Sequence, residues 1–398
     1  MPYYIGDVIK DYKKLVIRTP EDFKKTGIDV KTKTSVEGID PEKGSVHLSD
    51  GTTLPYDILV MATGADAVRL GLPGEDMEGV FTLRKLTDAL RMKSFLNERR
   101  CRKALIVGAG YIGMEMCEAF RNLGMETQVI DILPRPVLRW DAEFAKLILE
   151  ELDRNQVSFL PETKPLAIEK GKESALRLVT DKGDLEADLI LIGVGARRNT
   201  ELAESIGLEM GECAIKVDFF QRTSREEVYA VGDCCEVFHR VIGKWVYFPL
   251  GDVANKQGRT AGQNIGGSPA RFPGVVGAQS FKVFNLEGAA TGLTEEEALR
   301  HGFQPVSAMI QGLPVGRPMA RGEKLGLKLI ADKATGKLLG AQSVAEKGAV
   351  ARINSLSIAL WSGLTLEEIG CLDIAYAPPF GGAWDAIHIA AQGLARKL

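Results

Sequence analysis

The chain's 398 residues are too many for one hydrophobic core, since an ordinary domain takes roughly 150, so two or three domains are expected. With 45% hydrophobic and 26% charged residues it has the make-up of a globular protein, which excludes collagen-like, coiled-coil and disordered classes. Lys plus Arg number 50 and Asp plus Glu 53, and a net charge of −3 provides no global field drawing the chain to nucleic acid or an anionic membrane.

Glycine is the one excess: 43 residues, about 11% against an average near 7%, which calls for many tight turns. The six cysteines, Cys101, Cys117, Cys213, Cys234, Cys235 and Cys371, are dispersed and form no CxxC, so neither a disulfide framework nor a metal site is indicated, and a reducing cytoplasm fits. The N-terminus MPYYIGDVIKDYKK lacks the regions of a secretory signal, and no run of 18 apolar residues is available to span a membrane.

Between residues 28 and 61, IDVKTKTSVEGID, GSVHLSDGTTL and DILVMATG read as short strands, with a hairpin turn at Asp50-Gly51. Leu83, Leu86, Leu90, Met92 and Leu96 recur at helical spacing, and the basic cluster from Arg99 to Lys103 suggests a domain boundary near 101. Residues 104–131 read as strand, turn, helix, strand. A helix over AEFAKLILEELDRNQ and a hairpin with a buried strand over ALRLVTDKGDLEADLILIGVG follow, up to a second boundary near 217. VYAVGD is a short strand, a helix is expected from Asp252 to Ile265, and residues beyond 273 read as an α+β block, strand-rich and then helical.

Gly108-Ala109-Gly110-Tyr111-Ile112-Gly113 follows the strand Ala104 to Val107 and opens a helix. The first glycine permits the tight turn, the second admits a pyrophosphate to backbone N–H groups, and the third lets helix and strand pack closely. Asp131 ends the next strand, where a carboxylate can accept hydrogen bonds from a ribose 2′-hydroxyl and repel a 2′-phosphate. The alternative is a solvated strand end. Arg135 and Arg139 follow closely and keep NADPH open beside NADH. Ala62-Thr63-Gly64-Ala65 and Gly232-Asp233 are each only turns when taken alone. Together they bracket the dinucleotide unit, as a domain interrupted by an insertion would.

The order DILVMATGA, VGAGYIGMEMCEAF, LIGVGARRNTEL, VYAVGDCCEV, FPLGDVANKQGRTAGQNIGG, LDIAYAPPFGGAWD resembles the FAD-dependent pyridine nucleotide-disulfide oxidoreductases over essentially the whole chain. Within them it is most similar to the coenzyme A-disulfide reductase, NADH oxidase and NADH-dependent sulfur reductase branch. The resemblance implies an α/β fold with two Rossmann-like domains: an FAD-binding domain over residues 1–100 and 217–272, N-terminally truncated, and an NAD(P)-binding domain over 101–216. A C-terminal α+β dimerisation domain would cover 273–398 and make a homodimer. It implies FAD contacts at Thr63, Gly64, Gly232 and Asp233, with Leu250 in a segment, Pro249 to Arg259, passing near the flavin ring. NAD(P)H contacts fall on the glycine loop, Asp131 and Gly195, with NADH favoured.

Relatives carry an FAD-binding βαβ unit with its own GxGxxG and then a redox cysteine. Met1-Pro2-Tyr3-Tyr4-Ile5-Gly6 resembles the stretch that follows that cysteine, so this chain is expected to lack both. No other cysteine replaces it by motif. Cys234-Cys235 beside Asp233 is a redox candidate, set against a pair of small buried thiols whose disulfide would be strained. The branch with a C-terminal His-Pro motif is not matched, so His388 is expected to pack or face solvent, like His47, His239 and His301. Tyr376 in AYAPPF is the candidate proton donor or thiol-substrate contact, or else an interface aromatic. The implied activity is hydride transfer from NAD(P)H to FAD and onward to a disulfide, polysulfide or oxygen. A ferredoxin- or rubredoxin-type reductase and a non-catalytic nucleotide-binding remnant stay open.

Overall fold

The runs KALIV and LILI do not alternate polar and apolar residues, so they suit strands covered on both faces. In a computed structural model, which describes residues 1–137 and 140–398, both become central strands of a five-stranded, wholly parallel sheet. Its order is Val80–Thr82, Leu189–Ile192, Lys103–Val107, Glu126–Ile130, Val157–Leu160. From Lys103–Val107 the chain crosses through the helix Tyr111–Asn122 to Glu126–Ile130 on one side, while Leu189–Ile192 lies on the other. Strand order therefore reverses beside Val107, and in such sheets the carboxyl ends at the reversal form the ligand crevice.

The C-terminal block is a five-stranded antiparallel sheet, ordered Gln279–Val283, Leu286–Gly292, Leu338–Ala345, Leu325–Asp332, Pro305–Gly312. Leu325–Asp332 and Leu338–Ala345 are buried at every position. Phe281, Val283 and Val344 from this sheet join Ile106, Met116, Phe120, Phe144 and Leu191 in one apolar cluster. That shared core makes residues 1–10, 67–195 and 276–398 one compact unit.

Residues 11–66 and 196–275 form the second unit. It holds the antiparallel strands Val36–Asp40, Ser45–Leu48 and Thr53–Pro55, and a parallel pair, Leu59–Met61 beside Val228–Ala230. The helix Gly251–Ile265 completes it, and Met61, Val228, Ala230, Ile215 and Ala203 are among the residues of its core. Gly51, with φ of 82°, sits in the turn between Ser45–Leu48 and Thr53–Pro55, as the Asp50-Gly51 pair suggests.

The divisions differ from those expected at 101 and 217. Val80–Thr82 pairs with Ile190–Ile192 at the edge of the parallel sheet, and Phe95 of the helix Leu86–Glu98 packs edge-on against Phe81, so this unit resumes at Ala67. It leaves the sheet at Gly195, because Ala203, Ile206 and Leu208 bury with the other unit. The C-terminal block, expected as a domain of its own from 273, shares a core with the parallel sheet. Residues 28–35 form no strand. All but Thr34 are exposed, and alternation without an apolar face to bury does not hold a strand. No helix among the described residues is long and apolar enough to cross a membrane.

Candidate functional site

The glycine loop is built by close backbone approach. Gly108 has φ of 108°, and a Cβ there would lie 2.5 Å from the Gly193 carbonyl oxygen of the adjoining strand end. A Cβ on Gly113 would lie 2.1 Å from the Gly108 oxygen, so only glycine lets the helix Tyr111–Asn122 sit this close to its strand. At Gly110, by contrast, a Cβ would meet nothing within 4 Å. That open space lies at the N-cap of the helix Tyr111–Asn122. The arrangement fits an anionic pyrophosphate, drawn by the positive end of the helix dipole.

Asp131 is half-buried and fastened to this loop. Oδ2 accepts from the Ala109 N–H at 2.7 Å and Oδ1 from the Leu133 N–H at 2.9 Å. It is therefore no solvated strand end, and each oxygen keeps lone-pair capacity for a sugar hydroxyl. The Val137 N–H returns to the Ala109 carbonyl at 2.9 Å, so the segment after Asp131 wraps the loop. Arg135 is half-buried in that segment, whereas Arg139 lies outside the described residues. Gly195, exposed with φ of 120°, accepts from the Val68 N–H at 3.0 Å.

In the second unit the parallel strands Leu59–Met61 and Val228–Ala230 bring Thr63, Gly64, Gly232 and Asp233 to one carboxyl edge. Both glycines have positive φ, 66° and 78°. Side chains hold these turns. Thr63 Oγ1 donates to the Asn199 carbonyl at 2.6 Å, and Asn199 Nδ2 donates back to the Thr63 carbonyl at 3.1 Å. The Gly232 N–H donates to Gln257 Oε1 at 2.9 Å, and Gln257 Nε2 donates to the Glu236 carbonyl at 3.0 Å. A Cβ at Gly64 would meet nothing within 4 Å, so an open cradle lies beside half-buried Asp233, and this edge fits the flavin and ribityl end of FAD. Leu250 caps the helix Gly251–Ile265 and packs against the cluster of Val237, Phe248, Val253, Phe272 and Val275.

Cys234 and Cys235 are buried here with unbridged thiols. Cys234 Sγ donates to the Met61 and Val231 carbonyls at 3.5 and 3.3 Å and Cys235 Sγ to the Gly232 carbonyl at 3.4 Å, while the neighbouring Cys235 thiol pulls the Cys234 pKa down to about 6 against the opposing effect of burial. Cys235, coupled to Cys234 and itself buried, is pushed well up. Burial pushes the thiols of Cys101, to about 11, and Cys117, further still, up as well. Asn199 and Gln257, the side chains that shape this edge, follow from no spacing rule, since each is recruited from far along the chain.

Tyr376 lies elsewhere in the first unit, 57% exposed and flanked by exposed Phe380 and Trp384. The segment carrying it is anchored by a buried ion pair: Arg352 Nη2 and Nε donate to Asp385 at 2.7 and 3.1 Å. His388 packs rather than facing solvent. Its Nδ1 accepts from the Asp385 N–H at 3.2 Å, Nε2 lies 2.7 Å from the Leu372 carbonyl, and Trp384 stands edge-on to the ring. His239 is buried, while His47 and His301 are exposed.

An NAD(P)H sulfur oxidoreductase (CoA-dependent) from Pyrococcus furiosus is 36% identical over 98% of this chain and 89% of its own length. An NADH oxidase from Methanocaldococcus jannaschii is 32% identical over 100% of this chain and 90% of its own. The solved structure of an NAD-dependent persulfide reductase from A. fulgidus superposes with a TM-score of 0.95 at 36% identity, covering 100% of this chain and 75% of that one. Family models match residues 4–258, as pyridine nucleotide-disulphide oxidoreductase, and residues 278–387, as the dimerisation domain of the same family. The chain belongs to the pyridine nucleotide-disulphide oxidoreductase family.

Proposed function

We propose that the chain is an NADH-dependent flavoprotein oxidoreductase that passes electrons to a disulfide, polysulfide or oxygen acceptor. NAD(P)H and FAD are the cofactors of the family, and hydride transfer from NAD(P)H toward a disulfide, polysulfide or oxygen is the activity of this group. FAD, when bound, supplies the two-electron redox chemistry. The protein's share is to seat and orient. Gly108, Gly110, Tyr111, Ile112 and Gly113 take the nucleotide pyrophosphate, Gly195 lines the nucleotide side, and Thr63, Gly64, Gly232, Asp233 and Leu250 hold the flavin side. The observation that carries this is the glycine loop at the point where strand order reverses in a parallel sheet.

Asp131 supports NADH over NADPH, because a carboxylate tied to the loop N–H stays where a 2′-phosphate would meet its charge. A sulfur acceptor rather than oxygen is favoured by the persulfide- and sulfur-reducing activities named for two of the similar proteins. Tyr376 is the residue for the proton or the thiol substrate. Exposed Ile358, Trp361, Phe380, Trp384 and Ile389 in the same block suit burial against a second copy, so the active form is a homodimer. Six unbridged cysteines suit the cytoplasm.

Anaerobic titration of the flavin-loaded protein tests the reading. NADH should bleach the flavin absorbance faster than NADPH, and polysulfide should restore it faster than air. Asp131→Ala should cost NADH about tenfold in kcat/KM, through loss of a charge-assisted hydrogen bond, while NADPH loses less. Absence of bleaching by either nucleotide rules the function out, and an unchanged nucleotide preference in Asp131→Ala removes the role of Asp131.

A further inference from the structure

Tyr111, the first residue of the helix that receives the pyrophosphate, is held by a side chain outside the glycine motif. Trp140 Nε1 donates to the Tyr111 hydroxyl at 3.0 Å. Both rings lie against Phe281 of the C-terminal sheet, with centroids 5.2 and 5.3 Å from it, and Trp140 also stands edge-on to Phe144 at 5.8 Å. Trp140 is 1% exposed, so its N–H has no recourse to water.

Trp140 is itself fixed from the same sheet. The N–H of the next residue, Asp141, donates to Gln342 Oε1 at 3.0 Å. The ammonium of Lys328, on the neighbouring strand, lies 2.8 Å from Asp141 and 3.2 Å from Glu143, with its side chain 5% exposed. On the loop side, the Trp140 N–H donates to the Val137 carbonyl and the Val137 N–H to the Ala109 carbonyl, both at 2.9 Å. A continuous set of contacts thus runs from buried strands of the C-terminal block to both ends of the Ala109–Tyr111 segment.

We propose that Trp140 is a positioning residue for the dinucleotide: it fixes Tyr111, and with it the first turn of the helix Tyr111–Asn122, so that the pyrophosphate meets donors already in place. This rests on the dinucleotide reading of the glycine loop. A site ordered before the ligand arrives binds more tightly, because the ligand does not bear the ordering cost. Trp140 is buried, with its ring N–H committed to the Tyr111 hydroxyl. Its effect passes through Tyr111.

Calorimetric titration of the flavin-loaded protein with ADP-ribose isolates this step, because the probe carries the pyrophosphate and no hydride. Trp140→Phe and Tyr111→Phe should each weaken ADP-ribose by about 2- to 12-fold, the range of one hydrogen bond. The double variant should be no weaker than the weaker single, since both changes remove the same bond. A fall in melting temperature with ADP-ribose affinity unchanged in both singles makes Trp140 merely structural and overturns the proposal, as do fully additive losses. A parent protein that does not bind ADP-ribose at all overturns the dinucleotide reading itself.

Discussion

The molecule makes the same device twice, a glycine turn at the carboxyl end of parallel strands, and holds it by two different means. At Gly108 and Gly113 the turn is locked by backbone against backbone, with carbonyl oxygens standing where a Cβ would project. At Gly64 and Gly232 the surroundings are looser, and Asn199 and Gln257 hold the chain in place through hydrogen bonds. The first design tolerates no side chain. The second leaves more room for one but holds a left-handed backbone and depends on distant partners.

Paired glycine substitutions break this contrast most strongly. Gly113→Ala drives a Cβ to 2.1 Å from a fixed carbonyl, so helix and strand must separate. We expect a loss of about 3 kcal/mol, the upper end of overpacking costs, and no detectable NADH oxidation. Gly64→Ala meets no atom and suffers only the left-handed backbone, about 1–2 kcal/mol. Thermal melts of both variants check this, and equal losses would show that the two turns are built alike.

This contrast also explains what the sequence revealed. Backbone crowding leaves its trace locally, as glycines at fixed offsets between an apolar strand and a helix, so the strand–loop–helix around Gly108–Gly113 is legible. Side-chain tethers leave none. Nothing near Thr63 announces Asn199, and nothing near Tyr111 announces Trp140. The compact units divide at other places than 101 and 217 for a related reason. The basic cluster from Arg99 to Lys103 marks a local change in composition, whereas Val80–Thr82 is assigned by its pairing with a strand more than a hundred residues later. Residues 28–35 show the converse, a local alternation with no core to pack against.

Removing a tether sharpens the second half of the comparison. Gln257 is 1% exposed and bonded at both ends of its amide. Gln257→Leu leaves the Gly232 N–H and the Glu236 carbonyl buried without these partners, which costs about 1–3 kcal/mol. Urea unfolding should register the loss, and flavin content should fall with it, because Gly232 and Asp233 no longer stand at a fixed edge. Full flavin content in a destabilised variant would separate Gln257 from the cofactor site.

The smallest effect concerns the thiols at the same edge, and its sign follows from their pKa values. Cys234, pulled to about 6 by the neighbouring Cys235 thiol, lies below the ordinary thiol value near 8.5. Between those values the unfolded chain binds the proton that the folded chain has released, so this group makes the protein more stable as pH rises through the window. Cys235, pushed well up, works oppositely above about 8.5, where the folded chain alone keeps its proton. The pair's contribution should therefore climb from pH 6 to about 8.5 and decline beyond it, with the two groups titrating as a unit. Cys235→Ala removes the neighbouring thiol that holds the Cys234 pKa down, so Cys234 moves toward the ordinary value and the climb flattens. Urea unfolding of parent and variant at several pH values measures the difference. A difference constant from pH 6 to 8.5 would mean that the two thiols titrate independently, and the carboxyl edge at Asp233 would then be held by Asn199 and Gln257 with no charge from its cysteines.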